Sequence, residues 1–234
     1  MRKNKVLTFK GIDLNDYSCY YSGADSFVKP QKMASLYSVP GRNGDIYIGD
    51  NRFSNIDIKF DCFIPHHFIA NYSSLINALS SVEGYGRLET TEEPDVYRMG
   101  VFTNEIEPST TQFNEQGSFT LSFNCKPQKW LKSGEKGISV TSSATVLNPT
   151  NWGAKPLIEV TGTGTIEVNS SVLTLANNTS VTYIDCEIQD AYEGSLNRNG
   201  DLTVVNGFPI LNPGTNTVTV TGCTINLIPR WWKL

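Results

Sequence analysis

Histidine is nearly absent from this sequence: among 234 residues only His66 and His67 are histidines. Adjacent residues point apart on a helix or a strand, so the two cannot share one ion. No cysteine or acidic residue stands at ligand spacing from them, and no metal centre is expected. A Ser-His-Asp triad would have to draw on one of the two, and no Gly-x-Ser-x-Gly elbow accompanies them. Cysteine is scarce as well. The five (Cys19, Cys62, Cys125, Cys186, Cys223) are odd in number and never stand in a C-x-x-C pair. Their scatter reads as reduced structural thiols in a reducing compartment, with Cys62 and Cys125 on inward strand positions. No apolar run is long enough to span a bilayer. The basic start, Met-Arg-Lys-Asn-Lys, has no apolar stretch behind it, so no signal peptide is expected and folding in a cytoplasm is. A phosphate-cradling loop is missing too, because Gly162-Thr163-Gly164 lies between strand-like runs and not before a helix. No cofactor is expected.

Positive charge is also in short supply. The net charge is −4 with a pI near 5.2, which argues against sequence-independent DNA binding, since that needs clustered Lys and Arg. Residues 138–234 hold four basic residues (Lys155, Arg198, Arg230, Lys233) against seven acidic ones. Thr, Ser and Asn must therefore carry the surface of that half, as on a polar-skinned β-sandwich. Hydrophobic content is 39%, ordinary for a globular chain, and the length suits two domains with a core each.

What is present is mainly strand pattern. Phe119, Leu121, Phe123 and Cys125 alternate with Ser118, Thr120, Ser122 and Asn124, a period of two. Pro127 removes a backbone donor and is expected to end that ladder. Lys132 to Gly137 is polar and glycine-bearing, hence a connector. These features divide the chain into domains over 1–131 and 138–234, joined by 132–137. In the first, Val6–Phe9 begins a strand, and Leu36–Val39 leads into Pro40-Gly41-Arg42-Asn43-Gly44-Asp45, where Asn-Gly suits a type I′ hairpin turn. Ile46, Tyr47 and Ile48 carry the returning strand. Ile56, Ile58, Phe60 and Cys62 alternate with polar neighbours in the clearest strand of the chain. After Pro65, Ile69, Tyr72, Leu75, Ile76 and Leu79 fall at helical spacing, with Gly84 past the end. Strands over Arg87–Glu89 and Tyr97–Glu107 complete the set.

The second half reads as many short strands: Ile138–Val140, Pro156–Val160, Thr165–Val168, Val172–Leu175, Val181–Ile184, Thr203–Val205, Thr217–Val220 and Ile225–Ile228. Turn residues between them argue for a sandwich. A second Arg-Asn-Gly-Asp, 198–201, is expected at another hairpin tip. The fold class is thus mainly β, with one covering helix in the first domain.

Two groups of residues invite chemistry. Glu92, Glu93 and Asp95, with Glu105 and Glu107 one strand later, could in principle serve as paired carboxylates on a glycoside. Their composition is that of a solvated loop, and no enzyme is expected. Trp152, Trp231 and Trp232 lie in the β half, where exposed Trp faces stack on sugar rings. Trp231 and Trp232 are consecutive, so one faces in and the other out. The outward one, with Trp130, is expected to meet the neighbouring domain or a partner.

Several motifs together resemble the distal tail protein (Dit) family of long-tailed phages that infect Gram-positive bacteria. In the first half these are Val39–Asp45, Gly84-Tyr85-Gly86-Arg87-Leu88, Glu93-Pro94-Asp95-Val96-Tyr97-Arg98 and Phe119–Lys129. In the second they are Ile184-Asp185-Cys186-Glu187, Phe208–Gly214 and Ile228-Pro229-Arg230-Trp231-Trp232. The resemblance implies a virion component of the tail tip, assembled in the host cytoplasm. It implies a tail-tube-like first domain that builds a hexameric ring around a channel through which DNA passes without specific binding. A galectin-like second domain would sit outside. The hub would join tail tube to tail-tip or tail-associated proteins and to receptor-binding protein. Ring contacts are expected from the hairpin around Pro40, Gly41, Arg42, Asn43, Gly44 and Asp45. The alternative is a module that binds host cell-wall carbohydrate; sugar-binding galectins use a histidine-bearing motif, and residues 138–234 contain no histidine.

Overall fold

The computed structural model describes residues 5–24, 28–111, 115–178 and 180–234. They form two compact units, Met1–Lys129 with Leu234, and Trp130–Lys233.

The first unit runs β1 (Leu7–Phe9), β2 (Ile12–Asp13), β3 (Tyr20–Ala24), β4 (Lys32–Tyr37), β5 (Ile46–Phe53), β6 (Ile56–Ile64), α1 (Phe68–Ser80), β7 (Gly86–Thr90), β8 (Val96–Phe102), β9 (Ser109–Thr111) and β10 (Gln116–Leu131). Its main sheet has the order β2-β1-β7-β8-β10-β6-β3, with β9 also on β10. β6 and β10 pair antiparallel from Gly117 opposite Ile64 to Cys125 opposite Ile56. Their inward residues alternate with outward ones, mostly polar apart from Phe63, as the period of two predicts. Phe9, Phe60 and Phe123 meet at the centre of the core, with ring centroids 5.0 Å apart for Phe9 and Phe123 and 6.0 Å for Phe60 and Phe123. Each such burial contributes about 2 to 3 kcal/mol relative to exposure. Helix α1 buries Phe68, Leu75 and Leu79. Ile69, expected on that stripe, is exposed instead, and Phe68 takes its place. Gly117 makes the room, because a Cβ there would stand 2.4 Å from the Phe68 ring.

Pro127 does not end β10, which continues to Leu131. The last β6 partner is Cys125, so the missing amide falls beyond that ladder and costs it nothing. Conversely, the strand expected over Tyr97–Glu107 stops at Phe102.

The second unit contains β11 (Ile138–Val140), β12 (Ser143–Asn148), β13 (Leu157–Thr161), β14 (Gly164–Val168), β15 (Ser171–Leu175), β16 (Val181–Asp185), β17 (Asp190–Glu193), β18 (Leu196–Asn197), β19 (Leu202–Val205), β20 (Gly214–Thr221), β21 (Thr224–Ile228) and β22 (Trp232–Lys233). A six-stranded sheet, β11-β21-β13-β16-β17-β18, and a five-stranded sheet, β12-β20-β14-β15-β19, are built from these. Both contribute to one core, from Ile158, Val160, Ile184 and Leu227 on one sheet and Ile166, Val168, Leu173 and Val218 on the other. That is the layered solution for sheets with one apolar face each.

Two buried asparagines pin the loops. Asn148 donates to the Trp152 and Leu211 carbonyls at 2.8 and 2.9 Å and accepts from the Thr150 amide at 2.9 Å. Asn216 donates to the Asn212 carbonyl and accepts its amide, both at 2.8 Å. Buried amides satisfied in this way replace backbone pairing where loops cross a core. The chain end is tied in as well: Leu131 N–H donates to the Trp231 carbonyl at 2.8 Å and Arg230 N–H to that of Gly134 at 2.9 Å. Arg230 forks onto Asp185 at 2.8 and 2.9 Å.

Arg198–Asp201 is not a hairpin tip. Asn199–Asp201 forms a 3-10 turn, and the Arg198 guanidinium is drawn onto Glu193 and Asp201. That ion pairing, close in sequence, wins over the Asn-Gly turn preference.

Candidate assembly surface

Strands β4 and β5 form a two-stranded sheet of their own. The register sets Tyr37 opposite Ile46, Leu36 opposite Tyr47 and Ser35 opposite Ile48. Gln31 and Ser54 close the base through an amide-to-carbonyl bond of 3.0 Å. A two-stranded hairpin alone is marginal in water, and this one is apolar on both faces. Leu36 and Tyr47 share one face, while Tyr37, Ile46 and Ile48 share the other. Leu36 is 66% exposed, Ile48 58%, Tyr37 55% and Tyr47 52%, with Met33, Val39 and Ile46 exposed as well. A bulge between Lys32 and Ala34 bends the pair. Beside it lies an open groove of about 380 Å³ lined by residues including Met33, Ile48, Asp50 and Arg52.

Pro40, Gly41, Arg42, Asn43, Gly44 and Asp45 all sit at the exposed tip. The turn differs from the expected type I′, which needs positive φ at both Asn and Gly. Here Gly41 and Gly44 take φ of +80° and +79° and Asn43 does not, so residues 38–45 make a longer loop closed by an Arg42 amide to Val39 carbonyl bond of 3.1 Å. The hairpin from Leu36 to Ile48 was expected to supply the contact surface, and the structure puts its large apolar side chains on the stem. Its signal was there: Ile46-Tyr47-Ile48 is an unbroken apolar run, the pattern of a strand covered on both faces.

The other candidate residues are occupied structurally. Trp231 is buried in the core of the second unit. Trp232 stacks on Trp152 at 5.0 Å and donates its indole N–H to the Gly153 carbonyl at 3.0 Å. Trp130 is half-buried, and its indole nitrogen has no hydrogen-bond partner among the described residues. Glu92 and Glu93 are not a solvated pair. The Tyr21 hydroxyl donates to Glu92, Lys5 lies 2.8 Å from it, and Lys129 lies 2.7 Å from Glu93. Burial pushes the Glu92 carboxyl up, but bonds from Lys5 and Tyr21 outweigh it and hold the carboxyl below its ordinary value. His67 takes positive φ at the helix start and its amide donates to Glu115 at 3.1 Å.

All five cysteines are free and buried, and burial pushes the Cys125 and Cys186 thiols up to about 12. Among the described residues no group of three or more His, Cys, Asp or Glu is placed to hold a metal ion. No helix among them is long and apolar enough to cross a membrane.

Residues 12–125 match the family model of the phage tail protein RIFT-related domain. No curated protein sequence matches the chain. By fold it is similar to the crystal structure of the SPP1 Dit (gp 19.1) protein, described as a paradigm of the hub adsorption apparatus in phages infecting Gram-positive bacteria. That similarity has a TM-score of 0.77 at 13% identity and covers 99% of this chain and 100% of the other. It is also similar to chains of the phage P2 baseplate in its activated conformation, with Ca (TM-score 0.55, 9% identity, 97% and 98% covered) and with Sr (0.53, 9%, 96% and 97%). Residues 12–125 thus carry a phage tail protein RIFT-related domain, and the chain over its length shares the fold of a distal tail protein. The chain resembles the distal tail proteins of siphophages infecting Gram-positive hosts, as its motifs indicate.

Proposed function

We propose that this protein is the hub at the distal end of a siphophage tail, closing a hexameric ring that joins the tail tube to tail-tip, baseplate and receptor-binding proteins. The observation that carries the proposal is the β4–β5 hairpin, whose two apolar faces are both exposed. An exposed apolar patch of that kind marks an assembly site. A surface that meets a different patch on the next copy is heterologous, and closes into a ring when the rotation allows.

In this reading residues 1–131 form the tail-tube-like ring domain, 132–137 the connector, and 138–234 a galectin-like outer domain. The six-over-five sandwich supports the last assignment. The outward face of β6 and β10 supports the channel wall: Asp57 accepts from Asn124 at 2.8 Å and Asp61 from Thr120 at 3.0 Å. Such a polar face, in a protein of net charge −4, lets DNA slide past without sticking. Its work is mechanical and needs no catalytic group.

Mass measurement in solution tests the ring. The native chain should run as a hexamer, and removal of residues 40–45 should leave a folded monomer. A hexamer that survives the removal, or a native monomer at high concentration, refutes the assignment.

A further inference from the structure

Away from the β4–β5 hairpin, the first unit leaves a second apolar pair open to solvent. Tyr20 of β3 and Phe63 of β6 are register partners, and both are exposed. Their row continues through Ser118 of β10 to Ser109 of β9, so the aromatic part lies only at the β3 margin of the sheet. Elsewhere β6 turns Asp57, Lys59 and Asp61 to this side, and an aromatic ending that series buries nothing for its own chain. Tyr85, also exposed, is already engaged: its hydroxyl accepts from Asn55 at 2.6 Å and its ring lies 5.1 Å from the Lys126 ammonium. The hairpin leaves Tyr20 and Phe63 uncovered within one chain. It departs from the Ile56 end of β6, whereas Phe63 lies near the other end, about 23 Å along the strand at about 3.3 Å per residue. The hairpin's own faces differ. One presents Tyr47 beneath the Lys32 ammonium, 5.7 Å from its ring centroid. The other presents Tyr37, Ile46 and Ile48, with no charge until Asp50 toward the base.

We infer that the Tyr20–Phe63 pair is the seat for the hairpin of a second copy, which enters by its Tyr37, Ile46 and Ile48 face. This rests on the ring reading given above and names the surface that reading requires. A heterologous contact joins two different patches, so each copy gives its hairpin to one neighbour and receives the hairpin of another. Patches near opposite ends of β6 meet that condition. A two-fold contact of hairpin on hairpin would instead leave Tyr20 and Phe63 in water. Both surfaces are apolar and uncharged at the point of contact, so no charge is buried unpaired. Aromatic anchors of this kind carry a large share of interface energy.

p-Benzoylphenylalanine placed at position 63 keeps an aromatic ring there and cross-links on irradiation. In the assembled full chain it should join two copies, with the attachment mapped by mass spectrometry to residues 35–48. Phe63→Asp should raise the concentration at which the ring half-assembles by more than about tenfold, and Tyr20→Ala by about tenfold. Phe63→Leu, still apolar, should change it less than about threefold. Both side chains point outward, so circular dichroism of each variant should match the native chain. Thr217→Ala, on β20 of the second unit, should change nothing. Attachment outside residues 35–48, or a ring that Phe63→Asp leaves as strong as the native one, overturns the inference. The hub reading survives that result so long as removal of residues 40–45 still dissolves the ring. A native chain that forms no ring overturns both.

Discussion

β5 and β6 are separated by only Ser54 and Asn55, and both are rich in isoleucine, yet they use it in opposite ways. Along β6 every second residue is buried, and Ile56, Ile58, Phe60, Cys62 and Ile64 face one core. Along β5, Ile46, Tyr47 and Ile48 follow one another without alternation, and all three are exposed. A strand with one apolar face is satisfied by its own chain. A strand with two needs a cover on each side, and the described residues supply none. On the proposed reading the contrast separates residues that hold the fold from residues held back for assembly.

Substitutions can break that contrast, starting with the largest expected effect. Phe123→Ala should destabilise the first unit by about 3 to 5 kcal/mol, read by denaturant unfolding, because Phe123 is fully buried and contacts Phe9, Phe60 and Phe102. If β5 were a core strand, Leu36→Asp with Ile48→Asp would cost as much. We expect under about 1 kcal/mol in the monomer, with assembly lost.

The second unit sharpens the comparison from the other side. Asp185→Asn removes one partner of a forked ion pair and should cost about 2 kcal/mol. Burial raises the Asp185 carboxyl, but Arg230 and the Glu187 amide outweigh it and hold it below the usual carboxylate range. A group lowered on folding stabilises above its unfolded pKa, and that contribution is lost as pH falls through the folded one. Thermal stability of the native chain should therefore drop on acidification below about pH 4, and less steeply in Asp185→Asn. An equal slope in both would remove Asp185 from the account. The smallest effect is chemical: at pH 8 Cys125 and Cys186 should resist alkylation in the folded chain and react only on unfolding, as mass shifts would show.

Much of this architecture was legible where one physical pattern dominated. Alternation located β6 and β10, and the apolar stripe located α1 to within a residue at its start. Legibility failed where the preference of one residue or turn met a competing contact. Pro127 reads as a strand breaker, but no β6 residue faces it. Asn199-Gly200 reads as a turn, but Arg198 is claimed by Glu193 and Asp201. β12 and β17 were invisible because edge and near-edge strands bury few residues: Val146 and Asn148 on one, Ala191 on the other. The carboxylates at 92 and 93 looked solvated because their cations, Lys5 and Lys129, lie far away in sequence. The hairpin from Leu36 to Ile48 was legible as the candidate surface, but the exposure of both its faces was not.

Mass photometry of the native chain beside Leu36→Asp/Ile48→Asp asks most directly whether β5 is held back for neighbours. The account predicts a hexamer for the native chain and a folded monomer for the variant, with matching circular dichroism. Equal masses for the two proteins would contradict it.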